Sequence, residues 1–331
     1  MTDSDKTGSD RPFLLFALGA TRALGEEVAS ALGTTLAPLE EREFEDGEHK
    51  SRPLVDVRGR RVVVLHSLHG AGGGSGNDKF CRLLFFVGAL KDAGASFASV
   101  VAPYLCYARK DRRTKSFDPV TTRYVGQILE AVGVDHLATV DVHNPAAFEN
   151  AFRRGVDHIE TTRFFAAHLA GALPGEKLAV VSPDAGGMKR VEALRAALEE
   201  TTGQPVGKGF MEKVRSSGQV SGDLFAGDVE GRCAIILDDL VATGGSMART
   251  ARECRRRGAS RVLCVAAHGL FSGGAPSLFG SPDVERVIVT DTVPVSEAVR
   301  AAAGGRLDVL PVAPLLAERL SAWGTAWSGR P

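Results

Sequence analysis

The chain has 331 residues, 44% hydrophobic and 24% charged, which is enough apolar surface for one large or two ordinary cores and too much for a disordered chain. Its 40 basic residues balance 40 acidic ones, so no overall positive field recruits nucleic acid, and an anionic substrate has to be held by locally placed charge. Cys81, Cys106, Cys233, Cys254 and Cys264 form no Cys-x-x-Cys pair and no even set, which argues against a zinc knuckle or a secreted disulfide framework. They read as small core residues of a cytoplasmic protein, and no apolar run has membrane-spanning length.

Residues 1–12 are polar and are expected to form a disordered tail. Beyond them, short β-rich runs recur at Phe13-Leu18, Val62-Leu65, Val100-Ala102, Leu137-Val140, Leu178-Val181, Ala234-Leu237, Val262-Ala266 and Val287-Val289. Helical stretches separate them. In Val120-Val132, for example, the periodicity sets Val120, Tyr124, Ile128, Leu129 and Val132 on one face, with Thr121 and Thr122 near the start. Strand and helix in alternation predict an α/β fold with mainly parallel sheets flanked by helices.

An internal echo points to two related halves. Gly59-Arg60-Arg61-Val62-Val63-Val64-Leu65 leads through a glycine-rich loop, Gly70 to Lys79, and a helix to Ala93-Gly94-Ala95-Ser96. Gly231-Arg232-Cys233-Ala234-Ile235-Ile236-Leu237 leads the same way to Arg257-Gly258-Ala259-Ser260. A hinge near His158-Thr162 is expected to divide a domain over 13–159 from one over 160–325.

Only the second copy continues into an acidic pair and then Thr-Gly-Gly-Ser. Asp238 and Asp239 are expected at the carboxyl end of a buried strand, where ligands of parallel sheets bind, and Thr243-Gly244-Gly245-Ser246 opens the next helix. Glycines allow backbone N–H groups close to a phosphate, the helix N-terminus adds positive potential, and the two carboxylates suit a sugar diol.

At this point the chain resembles the ribose-phosphate diphosphokinases, although the loop alone is equally similar to type I phosphoribosyltransferases. Pro103-Tyr104-Leu105-Cys106-Tyr107-Ala108-Arg109-Lys110-Asp111-Arg112 looks like the family's Tyr-Ala-Arg-Gln-Asp-Arg segment, with Lys110 in place of Gln. Asp141-Val142-His143 resembles its Asp-Leu-His, and Ser182-Pro183-Asp184-Ala185-Gly186-Gly187-Met188-Lys189-Arg190 its Ser-Pro-Asp-Ala-Gly-Gly-x-Lys-Arg stretch. Lys213 and Arg215 fit the Lys-x-Arg of a mobile catalytic loop, and Phe44, Asp46 and Glu48 fit Phe-Ser-Asp-Gly-Glu.

The resemblance implies two tandem phosphoribosyltransferase-like (type I) domains and transfer of the β,γ-diphosphoryl group of ATP to ribose 5-phosphate. It places ATP on Phe44, Asp46, Glu48, Arg109, Lys110, Arg112 and His143, and Mg2+ on His143 and Asp184. The sugar phosphate falls on Asp238, Asp239, Thr243, Gly244, Gly245 and Ser246, with Lys213 and Arg215 catalytic. The family's Phe-Ser-Asp-Gly-Glu segment reaches into a neighbouring subunit's adenine pocket, which implies a homo-oligomer, dimer or hexamer.

The chain also departs from the family. Ala242 stands where the diphosphokinases carry a third acid, as in many phosphoribosyltransferases, and leaves the general base unassigned. Asp56, Gly94 and Ser116-Phe117 occupy the places of the family's regulatory phosphate site, where Asp56 repels an anion. Two rivals therefore stay open, a phosphoribosyltransferase and a noncatalytic regulatory subunit.

Overall fold

The computed structural model describes residues 13–71, 74–216 and 219–328. The expected tail over 1–12 lies outside the described residues. Two compact units are present, one formed by the chain up to Ile159 together with the segment from Pro311 onward, the other by Glu160–Leu310.

The first unit runs β1 (Leu14–Ala17), α1 (Arg22–Ala31), β2 (Leu39–Glu43), β3 (His49–Pro53), β4 (Arg61–Leu65) and α2 (Gly76–Asp92). It continues with β5 (Phe97–Ala102), α3 (Thr121–Ala131), β6 (His136–Val140), α4 (Pro145–Ala151) and β7 (Gly155–Ile159). A parallel sheet has the order β1-β4-β5-β6-β7, and β2 and β3 form a separate antiparallel hairpin.

The second unit comprises α5 (Thr162–Ala172), β8 (Leu178–Ser182), α6 (Met188–Thr202), β9 (Gly207–Ser216), β10 (Gln219–Gly227), β11 (Cys233–Val241) and α7 (Gly245–Arg256). Then follow β12 (Arg261–Gly269), α8 (Pro276–Phe279), β13 (Arg286–Thr290), α9 (Glu297–Ala303) and β14 (Leu307–Leu310). Its sheet has the order β10-β9-β8-β11-β12-β13-β14, parallel except for the antiparallel β9–β10 pair.

The strands read as continuous apolar runs because both faces of each parallel sheet are covered. Alternation sends Val62 and Val64 of β4 into one core with Phe16 and Phe86, and Val63 and Leu65 into another with Val28 and Leu316. In the second unit Ala234 and Ile236 face one core, Ile235 and Leu237 the other. Cys106, Cys233, Cys254 and Cys264 are buried, and all five cysteines are free thiols. No described helix is long and apolar enough to cross a membrane.

Two expectations are corrected. The buried stripe of α3 is Thr122, Val125, Gly126 and Leu129, while Tyr124 and Ile128 face solvent. The cause is Gly126, where an added Cβ would stand 2.3 Å from the Ala151 carbonyl oxygen, so α4 packs directly on that face and rotates the stripe away from Tyr124. The second domain also ends before residue 325, because α10 (Ala313–Ser328) returns to the first unit. There Val312, Leu316, Leu320 and Trp323 share a core with Leu24, Val28 and Leu32 of the α1 region, and Trp323 Nε1 donates to Asp157 at 2.9 Å.

Leu316 is fully buried among those side chains. Leu316→Ala is expected to cost the first unit about 2–5 kcal/mol, the usual range for emptying a leucine site. Urea unfolding followed by tryptophan fluorescence measures it, and an unchanged midpoint would show that α10 is dispensable.

Candidate active site

In the second unit the chain leaves β8 for α6 and β9 on one side, and leaves β11 for α7 and β12 on the other. The boundary between β8 and β11 is thus a topological switch point, where the loops after the two strands diverge and open a crevice. The segment carrying Asp184 follows β8, and Thr243 to Ser246 follow β11.

Asp238 and Asp239 lie at the carboxyl end of the strand, as expected, and within its paired residues. Parallel pairing to β12 carries β11 on through Asp238↔Ala266 and Leu240↔His268 to Val241↔Gly269, whereas pairing to β8 ends at Ile236↔Val181. The acidic pair therefore emerges alongside the end of its shorter neighbour. Asp239 is buried and Asp238 half-buried, an arrangement that is unfavourable without a counter-charge.

Arg190, in the first turn of α6, supplies it. Its Nη1 lies 3.3 Å from Asp238 Oδ1 and its Nη2 3.2 Å from Asp239 Oδ1, so one planar guanidinium spans both carboxylates. Burial in the first place, and the like charge of Asp239 in the second, hold the Asp238 carboxyl well above the ordinary carboxylate range, while Arg190 pulls it back. In the sequence Arg190 is one residue of the Ser182-to-Arg190 stretch with no role of its own. The available signal was a basic residue opening a helix just after a strand that neighbours two consecutive acids.

The loop after β8 is built around a missing side chain. A Cβ on Gly187 would stand 2.3 Å from Ser182 Oγ, and Gly187 N–H donates to Asp184 Oδ1 at 3.1 Å, orienting that exposed carboxylate. After β11, Gly244 adopts φ +75°, and a Cβ there would meet Leu278 at 2.5 Å. No side chain caps α7, so its first N–H groups are left for solvent or a ligand, beside the exposed hydroxyls of Thr243 and Ser246. Ser246 Oγ receives Arg249 Nη2 at 3.3 Å.

Lys213 and Arg215 do not sit in a loop. Their backbones belong to β9, in register with Asp223 and Val220 of β10, and their side chains lie outside the described residues. A hairpin rather than a loop forms here because the runs Gly207–Ser216 and Gln219–Gly227 follow each other closely enough in sequence to pair antiparallel.

In the first unit, Asn144 brings two predicted segments together. Its Oδ1 caps α4 by accepting Ala147 N–H at 3.2 Å, and its Nδ2 donates to Asp111 Oδ2 at 2.7 Å, joining the Arg109-to-Arg112 segment to the loop of His143. Arg109, Arg112 and His143 are exposed, whereas Lys110 Nζ pairs with Asp118 at 2.7 Å. Asp141 holds φ +36° after β6, where Val142 N–H donates to His158 Nε2 at 3.1 Å. Phe44, Asp46 and Glu48 form the tip of the β2–β3 hairpin, closed by Glu48 N–H on Asp46 Oδ1 at 3.1 Å. No hydrogen bond or ion pair among the described residues ties that tip to the Arg109 segment. Nor does any group of three or more His, Cys, Asp or Glu among them have an arrangement that could hold a metal ion unaided.

Removing Arg190 takes the cation away from a buried and a half-buried carboxylate. Arg190→Met is expected to destabilise the second unit by about 3 kcal/mol. Because the raised Asp238 gains its proton as pH falls, the loss is greatest in mildly alkaline buffer and shrinks toward the ordinary carboxylate range. Denaturation across that pH range tests the assignment, and a pH-independent loss would remove Asp238 from it.

Comparison with known proteins gives a consistent picture. Residues 13–133 match the model for the N-terminal domain of ribose phosphate pyrophosphokinase, and residues 220–322 match the phosphoribosyl synthetase-associated domain. Ribose-phosphate pyrophosphokinase 1 of Streptococcus pyogenes is 35% identical over 84% of this chain and 85% of its own length. The ribose-phosphate pyrophosphokinase of Listeria ivanovii is 30% identical over 94% of each. The crystal structure of phosphoribosylpyrophosphate synthetase from Mycobacterium smegmatis superposes with a TM-score of 0.86 at 30% identity, covering 96% of this chain and all of that one. Two tandem phosphoribosyltransferase-like domains, matched from end to end and in the same order, make this chain a member of the ribose-phosphate pyrophosphokinase family.

Proposed function

We propose that the chain transfers the β,γ-diphosphoryl group of ATP to the anomeric hydroxyl of ribose 5-phosphate, giving phosphoribosyl pyrophosphate and AMP. The observation that carries this reading is the switch point of the second unit, flanked by a carboxylate loop at Asp184 on one side and a phosphate loop at Thr243 to Ser246 on the other. The sugar phosphate binds the uncapped start of α7, and Asp238 and Asp239, held by Arg190, receive the ribose hydroxyls.

ATP is assigned to Arg109, Lys110, Arg112 and His143, with Phe44, Asp46 and Glu48 serving a neighbouring copy in a homo-oligomer. Magnesium keeps several waters and substrate oxygens and needs only one or two protein ligands. The exposed Asp184 carboxylate, oriented by Gly187 N–H, is a ligand of that kind in the second unit, and the exposed His143 is one in the first. When bound there, the ion neutralises phosphate charge.

Such a transfer asks the protein mainly for alignment and for stabilisation of charge on the equatorial and leaving oxygens. Lys213 and Arg215 are the cations assigned to that charge. A phosphoribosyltransferase reading explains Ala242 and the loop, but leaves the Arg109, His143 and Asp184 segments without a task.

Incubation of the chain with magnesium, ATP and ribose 5-phosphate is expected to yield AMP only when the sugar is present. ADP instead of AMP would replace the reading with a simple kinase, and no turnover would favour a regulatory subunit. Lys213→Ala and Arg215→Ala should each lower turnover on the order of 10²–10³-fold, the usual cost of one transition-state donor, while ribose 5-phosphate still binds. Near-normal turnover in both variants would refute their role.

A further inference from the structure

The first unit repeats the strand succession of the second, β1-β4-β5-β6-β7 against β8-β11-β12-β13-β14. The sequence echo aligns Gly59 with Gly231, and carried forward it sets His66 opposite Asp238 and Ser67 opposite Asp239. At the carboxyl ends of β1 and β4, the counterparts of β8 and β11, the first unit has a cavity of about 950 Å³. Gly19 and Ala20 line it after β1, His66 after β4, and Lys79 and Arg82 from α2.

A hydrogen-bond chain runs along its floor: Ser67 N–H donates to Thr21 Oγ1 at 2.9 Å, and Thr21 Oγ1 lies 3.2 Å from His66 Nδ1. When the Thr21 hydroxyl donates to Nδ1, His66 carries its own proton on Nε2. That nitrogen is buried, on a residue only 2% exposed, and has no hydrogen-bond partner among the described residues. Lys79, also 2% exposed, places Nζ 2.8 Å from the Ala71 carbonyl and 3.1 Å from His69 Nδ1.

Lys79 has no acidic partner among the described residues. Burial pushes its amine down to about 8, and burial first, then the Lys79 charge, keeps His66 and His69 neutral, at about 3 and about 4. Glu41, Glu43 and Asp78 line the same cavity and pair with other groups of its wall, Glu41 with Gly19 N–H, Glu43 with Arg82, and Asp78 with Ser75 in the cap of α2. Glu48 is exposed. The floor therefore offers donors and a buried positive charge, the opposite of the acceptor pair at the equivalent place in the second unit.

We propose that this cavity is a second ligand site, which binds a small oxyanion, a phosphate or carboxylate group, on Lys79 Nζ and His66 Nε2–H. An acceptor there satisfies the orphan donor and neutralises a buried cation that otherwise costs stability. The inference does not depend on the diphosphokinase reading, since binding rather than turnover reports it.

Calorimetric titration of the full chain with inorganic phosphate, and separately with citrate, tests it. A Thr243→Ala/Ser246→Ala background weakens phosphate binding at the second unit's loop, whose backbone N–H groups remain, so the part of the signal that depends on Lys79 is the readout. In that background, binding at a pH above the Lys79 value is expected to take up a proton, seen as heat that varies with the buffer's ionisation enthalpy. Lys79→Met should abolish the proton uptake and weaken binding about tenfold or more, the worth of one charge-assisted hydrogen bond. His66→Phe, which keeps the ring and loses the donor, should weaken binding while leaving the uptake. Binding of phosphate alone or citrate alone supports the site and names its ligand class. Binding in Lys79→Met that matches its parent, or no binding of either anion to the parent, overturns the proposal.

Discussion

Two consecutive carboxylates at the end of a buried parallel strand can persist only if something within reach neutralises them, and here that is one guanidinium from the neighbouring loop. The requirement sets several other features. Arg190 reaches Asp238 and Asp239 because β8 is shorter than β11, so that α6 begins beside the acids rather than beyond them. Gly187 lacks a Cβ where one would collide with Ser182, which brings the start of α6 close to the strand. The same turn orients Asp184, so a single local geometry sets both the guanidinium and the loop carboxylate.

The parallel strands were legible because burial on both faces leaves uninterrupted apolar runs such as Val62-Val63-Val64-Leu65 and Ala234-Ile235-Ile236-Leu237. The hairpins were not. β2 carries Leu39-Glu40-Glu41-Arg42-Glu43, largely exposed, and apart from Leu39, which touches the core, it is held by cross-strand pairing and ion pairs such as Arg52–Glu40. Likewise β7 begins Gly155-Val156-Asp157-His158, whose polar members are used for Trp323, Arg319 and the turn at Asp141. In α3 the apolar periodicity pointed to Tyr124 and Ile128, and a close helix contact at Gly126 overrode it.

For the candidate site, the loops could be read because glycines and acids at fixed offsets have few other uses. Arg190 could not be assigned, since its task depends on segments 48 residues apart in sequence lying side by side. His66 and Lys79 were hidden for a related reason. An isolated histidine or lysine says little until the sheet sets His66 where its duplicate holds a carboxylate and the fold brings Lys79 to the same cavity.

The return of α10 to the first unit has a consequence for how the chain is made. The second unit is, in topological terms, an insertion, since Glu160–Leu310 separates the body of the first unit from the helix that completes its core. Domains generally fold as units during synthesis, N-terminal first. Here the N-terminal one leaves the ribosome with Val28 and Val63 still uncovered and must wait for about 150 further residues, roughly eight to thirty seconds of elongation, before Leu316 and Trp323 arrive. The half of the molecule made first is thus the last to be finished.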